Sequence, residues 1–278
     1  MEKTLYVSDL DGTLLNRQSR LSPFTQQALN RLLEKGMLFT FATARSWRSA
    51  RVAAQGLSPF LPWIIRNGAA FANGQTGVRT GEAFFTHAQR EEILRRCAGL
   101  GLWPLVYSMR HGEEKVSYLD SAPRHQGMAH YIASRQGDKR LTPVDSLQAL
   151  LQDEAYYFRF IHTKEALVPL WKELKDLPWL NLTFQQELYR QEYWLEITSE
   201  QATKAQAALR LKQELGCARL VAFGDAMNDL PLFRAAEESY ATANAMPQVK
   251  AAATAVIGSN EEDGVARFLL ERFGEVLV

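Results

Sequence analysis

Apolar runs alternate with amphipathic stretches in the N-terminal part of the chain. Thr4 to Ser8 is a short, mostly apolar strand, and Ser22 opens an amphipathic helix. Met37 to Ala42 is an apolar run typical of a strand buried on both faces. A further helix from about Ser46 and a strand at Trp63 to Ile65 follow. This strand–helix order predicts a parallel β-sheet.

The pattern changes in the middle of the chain, where charged helical stretches alternate with aromatic strands. The strand–helix order then resumes with Leu195 to Thr198, a helix, and a strand at Arg219 to Phe223. We therefore predict an α/β fold: a Rossmann-like, doubly wound parallel-sheet core with an inserted α+β cap domain. The expected boundaries are 1–81 and 192–278 for the core and 82–191 for the insert.

Composition agrees with an ordinary globular protein, since 46% of the 278 residues are hydrophobic and 23% are charged. The formal net charge of +1 provides no overall field for holding nucleic acid or an anionic membrane. Cys97 and Cys217 form no CxxC motif and suit a reducing compartment. Because no signal peptide or membrane span is visible, we expect a cytoplasmic protein. The oligomeric state is left open.

The first candidate chemistry lies directly after the first strand, at Asp9 and Asp11. Open parallel sheets bind ligands beyond the carboxyl ends of their strands. Two carboxylates there can divide the work of a nucleophile or metal ligand and a general acid/base. The alternative is a pair of turn-forming acids beside Gly12.

A second acidic cluster follows another apolar strand and contains Asp225, Asn228 and Asp229. Mg²⁺ prefers oxygen ligands and commonly takes one or two carboxylates together with phosphate. Asp9 and Asp225, at two strand ends of one sheet, can provide them. Asp225 or Asn228 can instead cap the next helix.

Two further positions fit phosphate binding. Thr43 and Arg45 lie between a strand and a helix N-terminus, which favours a phosphoryl oxygen. Lys204 lies at the start of a helix, where a cation is disfavoured unless an anion compensates it. Alternatively, Thr43 is only an N-cap and Arg45 a solvated surface charge.

The order of these elements resembles the haloacid dehalogenase-like superfamily of phosphohydrolases over essentially the whole chain, and most of all its Cof-type sugar-phosphatase branch. The four motifs are Asp9 to Leu14, Thr43 to Arg45, Lys204, and Gly224 to Asp229. Ala44 stands where the branch often has Gly, and Gln201 and Ala205 replace Gly residues that commonly flank the lysine. These departures affect loop shape rather than reacting groups.

The resemblance implies a role for each motif. Asp9 would attack phosphorus and become an aspartyl phosphate, and Asp11 would serve as acid and then base. The resemblance also implies Mg²⁺ held by the Asp9 carboxylate, the Asp11 backbone carbonyl and Asp225. The remaining implied positions are phosphate-binding Thr43, Ala44 and Lys204, with Arg45, Asn228 and Asp229 in support.

In the insert, Arg159 shares one face of a strand with Tyr157, while Phe158 and Phe160 share the other. Arg159 is a candidate for substrate selection, with a solvated sheet face as the alternative. We expect an Mg²⁺-dependent phosphatase that acts on a small phosphorylated metabolite, such as a sugar phosphate. The alternatives are a phosphohexomutase with a similar core, or a non-catalytic ligand-binding protein on the same fold.

Overall fold

The computed structural model describes residues 2–57, 61–81, 83–186 and 191–277. They divide into two units, one formed by Met1–Gly81 with Ala202–Val278 and the other by Glu82–Gln201. In chain order the strands and helices are β1 (Thr4–Ser8), α1 (Pro23–Glu34), β2 (Leu38–Phe41), α2 (Trp47–Ala53), β3 (Trp63–Ile65), β4 (Ala70–Ala72), β5 (Arg79–Thr80), α3 (His87–Gly99), β6 (Leu105–Arg110), β7 (Glu113–Leu119), α4 (Gln126–Ala133), β8 (Leu141–Val144), α5 (Leu147–Leu151), β9 (Glu154–His162), α6 (Lys164–Leu174), β10 (Leu180–Gln186), β11 (Tyr193–Ser199), α7 (Lys204–Glu214), β12 (Arg219–Gly224), α8 (Leu230–Ala235), β13 (Glu238–Thr242), α9 (Pro247–Ala252), β14 (Ala255–Ile257) and α10 (Gly264–Arg272).

The first unit is built on a parallel sheet with the strand order β14-β13-β12-β1-β2. Successive residues of β1 point to opposite faces: Tyr6 packs in one core with α1 and α10, and Leu5 and Val7 pack in another with α7 and α8. Helices thus cover both faces, as parallel sheets require. The α/β core predicted from the sequence is confirmed.

Strand β3 departs from the predicted pattern. It pairs antiparallel with β4 in a separate three-stranded sheet, β3-β4-β5. Its link to the parallel sheet is an isolated bridge between Ala42 and Ile64. An apolar run of three residues indicates burial, but it does not specify which neighbouring strand supplies the hydrogen bonds.

The second unit has a six-stranded sheet with the order β10-β11-β9-β6-β7-β8. Its pairs are antiparallel except for β7 with β8. Phe158 and Phe160 of β9 pack on one face with buried residues of α3 and α6, such as Ile93 and Leu167. This unit therefore has a hydrophobic core of its own.

The expected position of Leu195 to Thr198 in the core domain is wrong. These residues belong to β11, which pairs antiparallel with both β9 and β10 in the second unit. The second unit accordingly extends to Gln201 rather than to 191. Glu82 and residues 187–190, beside the two expected boundaries, lie outside the described residues.

The described helices are short, and α3, for example, has 13 residues. None of the described helices combines the length and the apolar character that crossing a membrane requires.

Candidate active site

The site lies at the point in the parallel sheet where the order of the strands reverses. From β1 the chain continues to β2 on one side, whereas from β12 it continues to β13 on the other. Adjacent strands of this kind leave a crevice beyond their carboxyl ends. Asp9 follows β1 and Asp225 follows β12, and the Asp9 N–H donates to the Phe223 carbonyl oxygen at 2.9 Å. The topology thus brings together carboxylates that are far apart in sequence.

Carboxylate oxygens of Asp9, Asp225 and Asp229 all lie within 4.8 Å of one another. We call these three residues the carboxylate cluster. Lys204 lies between two of its members, with Nζ 2.5 Å from Asp9 Oδ1 and 2.7 Å from Asp229 Oδ1. Its side chain is only 2% exposed. A buried ammonium group therefore compensates part of the negative charge.

Burial and crowding perturb the ionisation of these groups. Burial raises the pKa of Asp9 to about 7, although Lys204 acts in the opposite direction. Burial also raises the pKa of Asp225. For Lys204, burial lowers the pKa, but the carboxylates of Asp9 and Asp229 outweigh it and hold the pKa above its ordinary value. One cation among three carboxylates leaves the cluster with excess negative charge, which favours a bound metal ion.

Asp229 is fully buried, and both of its carboxylate oxygens are already used. Oδ1 accepts from Lys204, and Oδ2 accepts from the backbone N–H groups of Asp225 at 3.0 Å and Ala226 at 3.1 Å. This leaves Asp9 and Asp225 as the better cation ligands. Their oxygen donors are the type that Mg²⁺ prefers, so the residues present fit the metal expected from the sequence.

Gly12 allows the loop after Asp9 to pass directly beside Asp225. Its φ is +79°, and a Cβ there would lie 2.3 Å from Asp225 Oδ2. Thr13 Oγ1 then donates to Asp225 Oδ1 at 2.7 Å. Asn244 Nδ2 donates to the Gly12 carbonyl oxygen at 2.7 Å. Neither Thr13 nor Asn244 is among the site residues predicted from the sequence, although Thr13 lies within the first motif.

Asp11 and Arg45 form a pair that the motifs did not reveal. The guanidinium donates to both Asp11 oxygens, and the Asp11 side chain remains 50% exposed. Thr43 is buried, its Oγ1 accepts from the Arg45 N–H at 3.1 Å, and the neighbouring Ala44 is exposed. Thr43 and Arg45 are therefore parts of one loop that adjoins Asp11.

Residues 6–269 match the family model of haloacid dehalogenase-like hydrolases. The chain belongs to this family. The match confirms the family expected from the motifs, and it spans both units.

Several curated relatives of this haloacid dehalogenase-like hydrolase are named as phosphatases. The 5-amino-6-(5-phospho-D-ribitylamino)uracil phosphatase YitU of Bacillus subtilis is 28% identical, with 97% of each chain covered. The HMP-PP phosphatase of Yersinia enterocolitica is also 28% identical, with 94% of this chain and 92% of that protein covered. These relatives agree with the expected enzyme class, a phosphatase.

Among solved structures, a sugar phosphatase of HAD subclass IIB, BT4131, superposes with a TM-score of 0.68 at 21% identity. The superposition covers 99% of this chain and all of that chain (100%). At this level of identity the likeness shows the shared fold, which includes the expected combination of core and inserted domain.

Two further predicted residues of this hydrolase, Asn228 and Arg159, make no hydrogen bond to the carboxylate cluster within the described part of the chain. Asn228 is exposed and donates to Asn67 Oδ1 at 3.3 Å. Arg159 belongs to the second unit and is neither solvated nor free: its side chain is 14% exposed and pairs with Glu196 at 2.8 Å. Its remaining hydrogen bonds go to the hydroxyl groups of Tyr157, Tyr107 and Tyr131.

Proposed function

We propose that the protein is an Mg²⁺-dependent phosphomonoester hydrolase that acts on small phosphorylated metabolites through an aspartyl-phosphate intermediate. The observation that carries this proposal is the carboxylate cluster with buried Lys204 at the ends of β1 and β12. Phosphoryl transfer depends mainly on positioning and charge neutralisation, and this cluster provides groups for both.

Asp9 and Asp225 would hold the metal ion, together with the backbone carbonyl of Asp11. When bound, Mg²⁺ neutralises charge on the carboxylates and on the phosphoryl group. Thr43 and Lys204 would bind phosphoryl oxygens, assisted by the backbone at Ala44, while Asp229 fixes the Lys204 ammonium through the bond at 2.7 Å. Asn228 supports the loop through Asn67.

Asp9 is the proposed nucleophile. One of its oxygens accepts from Lys204, and the other has no hydrogen-bond donor among the described residues. In the first step an Asp9 oxygen bonds to phosphorus while the bond from phosphorus to the leaving oxygen breaks, and Asp11 protonates that oxygen. In the second step Asp11 takes a proton from water, whose oxygen attacks phosphorus, and the bond to Asp9 breaks to release inorganic phosphate.

We further propose that the substrates are sugar phosphates or related phosphorylated polyols, and that the second unit selects among them. This is supported by two of the similar proteins, the 5-amino-6-(5-phospho-D-ribitylamino)uracil phosphatase YitU and the sugar phosphatase BT4131. The two cysteines, Cys97 and Cys217, are free and buried. They suit the cytoplasm, where such metabolites are made and used.

The test is release of inorganic phosphate from an aryl phosphate and from a panel of sugar phosphates, nucleotides and cofactor phosphates. We expect release with Mg²⁺, none with EDTA, and none from Asp9→Asn in either buffer. Full release in EDTA would overturn the metal requirement. A phosphohexomutase would convert one sugar phosphate into another without releasing phosphate, and a non-catalytic protein would bind without turnover.

A further inference from the structure

A groove of about 690 Å³ lies beside helix α2 in the first unit, and none of the active-site residues described above lines it. Helix α2 contributes Trp47, Arg48 and Arg51, and Trp63 with the turn at Gly74 forms another part of the wall. The volume is within the range of small-molecule pockets, about 300–1,000 Å³.

The charged residues described in the lining of this α2 groove are both arginines, Arg48 and Arg51. Arg48 and Arg51 are exposed, and no acidic residue is among the described residues that line it. Neither guanidinium has a carboxylate partner in the part of the chain that the structure describes. Like charges three positions apart on a helix repel each other. A bound anion would remove this repulsion.

The groove also contains two planar groups, the Trp47 indole and the Arg51 guanidinium. The Arg51 guanidinium lies 5.2 Å from the centre of the Trp47 ring, and Trp47 Nε1 donates to the Gly74 carbonyl oxygen at 3.3 Å. The indole is therefore held in place, and both planar groups can stack on an aromatic ring.

The wall of the groove also contains an unsatisfied donor. Trp63 is 2% exposed, and its Nε1–H has no hydrogen-bond partner among the described residues. Gly74 packs closely over this indole, since a Cβ on Gly74 would lie 2.7 Å from Nε1. A buried donor without an acceptor is costly, and this one lies directly behind the turn that lines the groove.

We propose that the α2 groove is a second binding site, specific for a planar organic anion. An aromatic ring stacks on Trp47 and Arg51, and a phosphate or carboxylate group that the ring carries, directly or through a sugar, pairs with Arg48 and Arg51. The site requires neither the metal ion nor Asp9, so it stands independently of the proposed catalytic function.

The tryptophans allow a site-specific test by ¹H–¹⁵N NMR of their indole N–H groups. Two of the six, Trp47 and Trp63, belong to the first unit, and the other four belong to the second. Adenosine 5′-monophosphate, added in EDTA to Asp9→Asn, should shift the first two signals saturably and leave the other four in place. Nicotinate tests whether a carboxylate replaces the phosphate.

Adenosine and inorganic phosphate each lack one half of the proposed ligand, and both should bind at least roughly tenfold more weakly than the nucleotide. The double variant Arg48→Gln/Arg51→Gln should weaken nucleotide binding by a similar factor. Arg17→Gln, which removes an exposed arginine of the same unit outside the groove, should not. Equal binding of adenosine and the nucleotide, or unchanged affinity in the double variant, would each overturn the proposal.

Discussion

Arg45 binds both carboxylate oxygens of Asp11, with Nε 2.7 Å from Oδ2 and Nη2 2.5 Å from Oδ1. A guanidinium in this two-point geometry fixes the direction of the carboxylate as well as its charge. The Arg45 Nη1 also donates to Ser49 Oγ at 3.1 Å, which connects the pair to α2. We therefore propose that Arg45 positions Asp11 for its role as acid and base.

Arg45→Ala should lower kcat on the order of 10- to 100-fold, because small displacements of a reacting group cost that much. Stability should change by less than about 1 kcal/mol, since Asp11 is half exposed and exposed ion pairs contribute little. Phosphate release and thermal unfolding measure the two effects. Arg45→Lys keeps the charge without the two-point contact and should show an intermediate kcat. A kcat unchanged in both variants would remove Arg45 from the site.

Asp9→Asn should abolish turnover. In EDTA the same variant should have a melting temperature a few degrees higher, which corresponds to about 1 kcal/mol in the free energy of unfolding for a protein of this size. Burial disfavours the ionised form of Asp9, and Lys204 keeps Asp229 as its partner after the substitution. Differential scanning calorimetry at pH 8 measures this. Thr4→Ser, at the partly buried first residue of β1, is the control for the effects of substitution and purification. A large loss of stability would show that Asp9 stabilises the cluster.

Gly12→Ala should impair both folding and metal affinity, because the new Cβ would meet Asp225 Oδ2 at 2.3 Å. Gly36→Ala is the matched control: its φ of +89° is also in the left-handed region, but nothing lies within 4 Å of its Cβ. Both should lose roughly 1–2 kcal/mol to backbone strain. Only Gly12→Ala should weaken Mg²⁺ binding in calorimetric titration, and equal titrations of the two variants would contradict the argument.

The carboxylate cluster could be predicted because its members follow apolar runs, and the ends of parallel strands meet at one edge. The Asp11–Arg45 pair and the Thr13 bond to Asp225 could not, since they depend on the local path of two loops. The spacing of residues along the chain indicates which strand or helix a residue follows. It does not indicate which side chains of neighbouring loops contact each other.

The misplacement of β11 has a similar cause. An alternating strand such as Tyr193–Ser199 shows which residues are buried, but the partner strand is chosen by contacts far away in sequence. Here Leu195 and Ile197 complete the core of the second unit. Only the pairing with β9 and β10 distinguishes this from a strand of the parallel sheet.

Glu238 should make stability depend on pH in the acid range. Hydrogen bonds from Arg272, Tyr240 and Arg219 lower its pKa from 4.5 to about 2. The folded state therefore favours the ionised form, and this stabilisation is complete above pH 4.5 and is lost as the pH falls towards 2. Unfolding by urea at a series of pH values measures the dependence.

Glu238→Gln should be less stable than the unmodified protein at pH 7, and the difference should shrink between pH 4.5 and pH 2. Glu34→Gln, which removes an exposed carboxylate of α1 outside this group, controls for the loss of an acidic residue. A difference that stays constant with pH would contradict the role of Glu238.

Arg159 and Glu196 should stabilise the second unit together. Arg159 lies within 6 Å of four aromatic ring centres, those of Tyr107, Tyr131, Tyr157 and Trp194, at 5.6, 5.4, 5.1 and 4.5 Å. Arg159→Ala removes the cation and leaves Glu196, which is 13% exposed, without its charge partner. The loss should be about 3–5 kcal/mol, measured as earlier unfolding of this unit in calorimetry or hydrogen exchange.

The same variant tests substrate selection by Arg159. All of its donor groups are engaged within the second unit, at Glu196 and the three tyrosine hydroxyls, so a sugar hydroxyl could bind only by displacing one of them. Glu196→Gln keeps an acceptor for Tyr157 and Arg159 while removing the charge, and its stability should be intermediate. If Arg159 selects substrates, Arg159→Ala should raise the KM for sugar phosphates and leave the KM for an aryl phosphate unchanged. The increase in KM should be larger than in Glu196→Gln. If the KM values of the two variants instead change only in proportion to their loss of stability, Arg159 has a structural role in the sheet and does not select substrates.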